Sequence, residues 1–442
     1  MGTKERPEIQ CKEETILRRD PVVLGKDIVL SGNDIGTERP NDNQLFVGCS
    51  GTGKSTSCML PTMVRMQFSN PIASFAKAGD AYRMAALFRK KGYRIFVLDL
   101  SRPARGNVSF DPLMYAASHG DVEELSMTIV NSVLKKSNDD YWNSKARPLL
   151  TCLCEAVRMN SDSPGKSFGF AEVLKLFDLL IVQDSDFGNG ITTCLDSYFA
   201  EIEKKDPDCY ACREYRSFRS LPPKTASCVR DTLSAALSTV FSQEIRNTMR
   251  EKPQIDFRRF ASSKAGIFVI SSVVDSAQDY FMNLFFRTCI RYLLRFAENC
   301  PEGRLPRPVR LIFDDFACTS PIEHFEQDIS LFRAAGLSAM ILLQSETQLE
   351  AIYGPDKAAI IRQNCPVYVY FPGGFDERSC ELVSKRMNLP YEDVLYAPLG
   401  DVFIMQTGRK PVQTRRYDIF HSREYMEYQK VPAAMPEYEK KF

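Results

Sequence analysis

The stretch GCSGTGKST, residues 48–56, constrains this chain more than any other. It carries the spacing G-x-x-x-x-G-K-S at Gly48, Gly53, Lys54 and Ser55. Glycines let the backbone curl until successive N–H groups point inward at an anion, and the start of the following helix adds partial positive charge. Lys54 is then expected to reach the β- and γ-phosphates, and the Ser55 hydroxyl to ligate Mg²⁺. The nucleotide site is therefore assigned to Gly48, Cys49, Ser50, Gly51, Thr52, Gly53, Lys54, Ser55 and Thr56, with ATP and Mg²⁺ as cofactors. The flanks agree: NQLFVG reads as a buried strand and STSCMLPTMVRMQF starts as a helix. An accidental glycine-rich turn is the alternative. With glycine at ~7% of residues, such a match arises by chance in on the order of one chain in a hundred.

Composition narrows the setting. The 442 residues are 44% hydrophobic and 26% charged, which describes an ordinary globular protein of about two or three domains. A net charge of +1 neither announces nor excludes a nucleic-acid partner, because a pore can hide its basic residues. The opening MGTKERPEIQCKEET has no apolar core, and no stretch approaches the ~18 consecutive apolar residues of a membrane span. Gly2 has Arg6 where myristoylation wants Ser or Thr. Fourteen cysteines without a leader point to free thiols in a reducing cytoplasm. Cys209 and Cys212 make the one C-x-x-C, and His119, His324 and His421 are scattered, so zinc chemistry and a Ser-His-Asp triad are poor readings.

After the phosphate loop, IASF, AYRMAALFRKKGY and RIFVLDL continue a β-α-β-α-β rhythm, the doubly wound parallel pattern of an α/β protein. From His119 to about Pro253 the pattern turns helical, with Val122, Leu125, Ile129 and Val133, and later Val229, Leu233, Leu237 and Phe241, at spacings of three and four. Strands return in AGIFVISS, VRLIFDD, SAMILLQS, PVYVYF and DVFIMQ. The expected division is an N-terminal arm with a lead-in strand over 1–40, a split nucleotide-binding domain over 41–118 and 254–430, an inserted all-α domain over 119–253, and a loose tail over 431–442.

VRLIFDD supplies the second half of the site. Its apolar run ends in Asp314 and Asp315, which places a carboxylate at the C-terminal end of a buried parallel strand expected beside the loop strand, where Mg²⁺ needs its acidic partner. Asp314 is expected to hold the ion through water and Asp315 to orient the attacking water. SAMILLQS ends in Gln344, a polar residue placed to touch the γ-phosphate or that water.

The order of these segments resembles the coupling proteins of type IV secretion and conjugation, RecA-like ATPases that deliver single-stranded DNA with its attached relaxase to a transfer channel. The likeness runs from about Ile28 to Tyr425. It rests on GCSGTGKST with the proline of MLPTM, on KKGYRIFVLDLSRPARGNVSFDPLMY, on YWNSKARPLL and on IDFRRFASSKAGIFVISS. It is densest from LIFDDFACTSPIEHFEQDISLFRAAGLSAMILLQSETQLEAIYG through IIRQNC to RRYDIFHSREY. The resemblance implies a RecA-like fold with a mainly parallel central sheet flanked by helices, a homo-hexameric ring with a nucleotide at each subunit interface, and a DNA pore. It makes Lys54 and Ser55 the Walker A pair, Asp314 the Walker B acid, Gln344 the sensor and Arg333 a finger for the neighbouring subunit. The implied partners are single-stranded DNA, the relaxase and its relaxosome, and the channel proteins. The implied place is the cytoplasm, at the inner face of the cell membrane.

Departures from the family pattern matter too. An Asp-Pro-Lys-Gly-Glu-like stretch usually follows the second strand, and here Phe75, Ala76, Lys77, Ala78, Gly79 and Asp80 stand there. The usual Asp-Glu pair is Asp314 and Asp315, one methylene shorter, and a misplacement of ~1 Å can cost ~10²-fold in rate. The family's N-terminal membrane helices are not in this sequence. The first reading is thus an ATP-hydrolysing DNA-transfer motor. The second is a hydrolysis-poor nucleotide-binding regulatory or scaffold paralogue, the third a double-stranded DNA pump of the wider RecA-like group. A small-molecule kinase fits least, since it would not need its second acid so far downstream. DNA contacts in the insert are expected from Lys135, Lys136, Arg213, Arg216 and Arg219.

Overall fold

The computed structural model describes residues 19–30, 41–133, 140–160, 168–182, 194–272, 276–318 and 320–431. Two strands, β1 (Val22–Gly25) and β2 (Ile28–Leu30), form an antiparallel hairpin. Nine more build the central sheet: β3 (Gln44–Val47), β4 (Asn70–Phe75), β5 (Arg94–Asp99), β6 (Ala265–Ile270), β7 (Val309–Phe313), β8 (Leu337–Leu343), β9 (Val367–Tyr370), β10 (Asp401–Gln406) and β11 (Val412–Arg415). Their order is β11-β10-β9-β3-β8-β7-β4-β6-β5. Every pairing from β9 across to β5 is parallel, and β10 and β11 add antiparallel pairings at one end.

Both faces of the parallel part are covered, which is why its strands read as unbroken apolar runs rather than alternating ones. Along β3, Leu45 and Val47 enter one buried cluster and Phe46 the other. The smaller cluster lies under the helices Leu60–Arg65 and Ala78–Lys90 and takes in Val22 and Leu24 of the hairpin. Strand β11 has the sequence VQTR and is largely exposed, so no buried face patterned it in the sequence.

One expectation of strand order is corrected. The strand bearing Asp314, β7, does not lie beside the loop strand β3, because β8 pairs with both and separates them. Parallel neighbours need long crossovers, and the order in which those crossovers fill the sheet cannot be read from the strands themselves.

From His119 to Glu251 the described elements are helices: His119–Val133, Asp140–Met159, Phe170–Val182, Cys194–Lys205, Tyr210–Arg219, Pro223–Val240 and Gln243–Glu251. Val122, Leu125 and Ile129, and likewise Val229, Leu233, Leu237 and Phe241, are buried in the larger cluster, which continues without a break into the sheet residues Leu98, Ile267 and Leu311. Lys135 and Lys136 and the tail beyond 431 lie outside the described residues.

A buried carboxylate fastens this helical block to the sheet. Asp111, which follows β5, accepts hydrogen bonds from the N–H of Leu113 (3.0 Å to Oδ1) and from the N–H of Phe170 (2.7 Å to Oδ2) at the start of the helix Phe170–Val182. The approach demands glycine next door: a Cβ on Gly169 (φ +140°) would lie 2.5 Å from Asp111 Oδ2. Asp111→Ala leaves both N–H groups unpaired in the core and should lower the unfolding free energy by roughly 2–4 kcal/mol. Burial pushes the Asp111 carboxyl up to about 6. The folded state therefore holds this proton to higher pH than the unfolded chain, and the group's contribution, full below about 4, is lost as pH rises through 6. Denaturant titrations of wild type and Asp111→Ala should accordingly differ most at the acid end of that window.

Candidate nucleotide-binding site

The buried strand β3 delivers the chain to the phosphate loop at the C-terminal edge of the sheet. The Gly48 N–H still donates to Leu343 O of β8 (3.1 Å), and a Cβ on Gly48 would lie 2.7 Å from the carbonyl oxygen of Phe371, so only glycine lets these backbones meet. Gly53 sits at φ +95°, in the left-handed region, and turns the chain into the helix. That helix opens with a wide π-type turn over Ser55–Met59 before its regular part, Leu60–Arg65. Ser57 N–H donates to Gly53 O (2.7 Å) and the Thr56 hydroxyl to the same oxygen (3.1 Å). Ser50 and Gly51 are exposed at the tip of the loop, Cys49 partly so, while Thr52 is buried.

Lys54 is buried and folds back on its own loop, its Nζ donating to the carbonyl oxygens of Gly48 and, at 3.1 Å, of Cys49. Burial lowers its pKa, while the charges of Asp315 and Asp314 act the other way. The ammonium is thus held at the mouth of the loop by neutral acceptors, for which anionic phosphate oxygens are stronger partners.

The structure brings the two halves together across 259 residues: the Ser55 hydroxyl donates to Asp314 Oδ1 at 2.7 Å. The backbone N–H of Asp314 donates to Ser74 Oγ (3.1 Å) at the end of β4. On a continuing strand Asp314 and Asp315 would point to opposite faces. Here β7 ends at Phe313 and Asp315 takes a left-handed conformation (φ 59°), so both acids serve the same mouth. Asp315 Oδ1 accepts from Gln344 Nε2 at 3.3 Å. Burial pushes the Asp314 carboxyl up to about 6, with the Ser55 hydrogen bond and the Lys54 charge opposing and the Asp315 and Asp80 charges assisting.

Phe75 does not take the place of an acid in the site. Its ring is buried in the smaller core cluster, edge-on to Phe268 with centroids 5.5 Å apart. Ser74, its neighbour on the opposite face of β4, is the residue that reaches Asp314, and Asp80, which accepts from Tyr428 Oη (2.7 Å), brings a carboxylate from the next helix.

Arg333 stands apart. It lies near the end of the helix Phe325–Ala335, exposed, before the first residue of β8, whereas Gln344 follows the last. Seven strand residues separate the two ends, roughly 23 Å at the usual rise, so Arg333 does not meet the phosphate loop of its own chain. Another arginine does. Arg416 Nη1 donates to Thr52 O at 3.1 Å, and a Cβ on Gly53 would lie 2.9 Å from it. It escapes a reading of the sequence because it follows the polar strand β11, 364 positions from Thr52, with no motif spacing to mark it. In the helical block Arg216 pairs with Glu203 and Arg219 with Asp196, while Arg213 is exposed. Cys209 caps the helix Tyr210–Arg219 through its sulfur.

Among the described residues no group of three or more His, Cys, Asp or Glu side chains gathers for a metal. Mg²⁺ asks for less: one or two protein oxygens, with phosphate and water supplying the rest. Ser55 Oγ and the partly buried Asp314 carboxylate, in mutual contact, fit that requirement.

A phosphate loop on one strand, an acid two strands away and a polar residue ending the strand between them define a P-loop nucleoside-triphosphatase fold of the RecA-like kind. The family model for conjugative DNA transfer by the type IV secretory system matches residues 8–387, and the chain belongs to that family. Solved structures share the fold. The bacterial conjugative coupling protein TrwBdeltaN70, in its trigonal form with sulphate, aligns with a TM-score of 0.63 at 14% identity, covering 89% of this chain and 88% of that one. The plasmid coupling protein TrwB in complex with ADP and Mg²⁺ aligns with a TM-score of 0.60 at 14% identity, covering 85% of each chain. VirB4 of Thermoanaerobacter pseudethanolicus aligns with a TM-score of 0.54 at 14% identity, covering 90% of this chain and 96% of that one. A comparison with curated protein sequences finds no match. No helix among the described residues is long and apolar enough to cross a membrane.

Proposed function

We propose that this chain is an ATP-hydrolysing coupling protein that recruits single-stranded DNA and its relaxase and drives them toward a type IV secretion channel. The observation that carries this reading is the 2.7 Å hydrogen bond from Ser55 to Asp314, which joins the two halves of a nucleotide site in a member of a conjugative DNA-transfer family. The coupling protein TrwB solved with ADP and Mg²⁺, and again with the ATP analogue ADPNP, supports the choice of ligand.

In this reading the N–H groups of residues 48–55 cradle the phosphates and Lys54 leaves its loop carbonyls for them. Ser55 and Asp314 would hold Mg²⁺, which would supply positive charge to the phosphates. Asp315 and Gln344, in contact with each other, orient the attacking water, and Asp315 takes its proton. Subunits assemble as a hexamer, so that the exposed Arg333 of one serves the site of the next. The helical module over 119–253 receives DNA and cargo, with Arg213, Arg216 and Arg219 among its basic contacts, while the nucleotide-binding module spans 41–118 and 254–430. The protein works in the cytoplasm at the inner face of the membrane.

A second reading, a nucleotide-binding scaffold that hydrolyses little, is favoured by one feature: the second acid is Asp315, whose carboxylate reaches one methylene less far than a glutamate's. ATP turnover by the purified chain, with and without single-stranded DNA, separates the two. Under the motor reading DNA stimulates turnover, Asp315→Glu raises it by restoring reach, and Asp315→Asn lowers it about 10²-fold or more while ATP stays bound. Absence of turnover in wild type and in Asp315→Glu alike selects the scaffold.

A further inference from the structure

Three loops converge on the tip of the phosphate loop from the β9, β10 and β11 side of β3. The loop after β9 brings Gly373 and Gly374: a Cβ on Gly373 would lie 3.2 Å from Thr52 Cγ2 and 2.6 Å from Leu399 Cδ2, and a Cβ on Gly374 would collide with Cys49 Sγ. The loop before β10 carries Leu399 and Gly400, and a Cβ on Gly400 would lie 3.9 Å from Arg416 Nε. The segment after β11 carries Arg416, bonded to Thr52 O. The most exposed large apolar side chains among the described residues are Phe375 (86%), Tyr396 (73%), Leu399 (72%) and Phe420 (56%), and all belong to these segments. Of these, Leu399 stands beside Gly373, against which Thr52 of the phosphate loop also lies, and exposed apolar surface beside a site marks a binding surface.

The direction of the nucleotide says what belongs there. Ser55, Asp314, Asp315 and Gln344 stand on the β8 and β7 side of the loop and fix the γ-phosphate end. The rest of the molecule then leaves toward β9 to β11, over Thr52 and Gly53. We propose that Leu399 and Arg416 form a clip for the base of the bound nucleotide, with the Leu399 methyls against one face of the ring and the Arg416 guanidinium against the other. The inference rests on the nucleotide-binding reading and adds to it the residues that tell a nucleotide from bare polyphosphate. A planar guanidinium anchored on a backbone carbonyl is suited to stacking on a heterocycle, and Lys is not.

The test titrates the full chain with MgATP and with inorganic tripolyphosphate by calorimetry. Leu399 is exposed, so Leu399→Ser leaves the core intact. Leu399→Ser and Arg416→Lys should each weaken ATP about tenfold while tripolyphosphate stays within about twofold of wild type, and Leu399→Met should bind ATP like wild type. Unchanged ATP affinity in both variants overturns the clip. So does an equal loss for ATP and tripolyphosphate, which would mean that these residues only shape the phosphate loop. A fall in oligomer mass at unchanged ATP affinity would assign the apolar surface to self-association and also overturn it. Failure of wild type to bind either ligand removes the nucleotide reading itself, an outcome distinct from the others.

Discussion

Lys54→Ala should lower ATP affinity at least about a hundredfold, measured by calorimetry, because the variant loses the one buried cation that the loop itself supplies to the phosphates. The fold should survive. Among the described residues the Lys54 ammonium bonds to carbonyl oxygens of Gly48 and Cys49, at the mouth of the loop, while β3 is held by backbone pairing to β8 and β9 and by Leu45, Phe46 and Val47 in the core. The urea midpoint of the variant should therefore lie close to that of wild type. An unchanged ATP affinity in Lys54→Ala would remove the nucleotide assignment, since nothing else in the loop carries charge.

Arg333→Ala should cut ATP turnover by ~10³-fold or more and leave ATP affinity within a few fold, the signature of a group that meets the transferring phosphoryl only in the transition state. The geometry makes the partner question sharp. Arg333 and Gln344 flank opposite ends of β8, so Arg333 cannot act on the site of its own chain without dismantling the strand. Co-assembled Arg333→Ala and Lys54→Ala subunits, each inactive alone, should recover part of the ATPase, because some interfaces would pair an intact Lys54 with an intact Arg333. A mixture that stays inactive, with co-assembly demonstrated by native mass measurement, would leave Arg333 a structural helix-end residue, since its carbonyl already accepts from Arg304.

Much of the site is legible in the sequence because local chemistry writes it into short spacings. A loop that must curl around phosphate needs glycine at positions of positive φ or close approach, and Gly48 and Gly53 meet those needs by contact with Phe371 and by φ +95°. Buried parallel strands must be apolar on both faces, so LIF before Asp314 and AMILL before Gln344 announced strands that end in polar residues. The helical stretch announced itself by its spacing, and Val122, Leu125, Ile129 and Leu233 are buried as that spacing requires.

Neighbourhood was not legible, because it depends on which crossovers carry the chain where. The sequence by itself determined a phosphate loop, two acids at a strand end and a glutamine at another. Only the tertiary structure decided that β8 lies between β3 and β7, that a left-handed turn at Asp315 aims the second acid at Gln344, and that Phe75 turns into the core while Ser74 reaches Asp314. Only the tertiary structure, too, bonded Arg416 to Thr52 and set Leu399 beside Gly373, whose backbone approaches the same threonine. Each residue there is ordinary in its own stretch, and what sets it apart is a contact between chain segments hundreds of positions distant, fixed by sheet order and not by any local pattern.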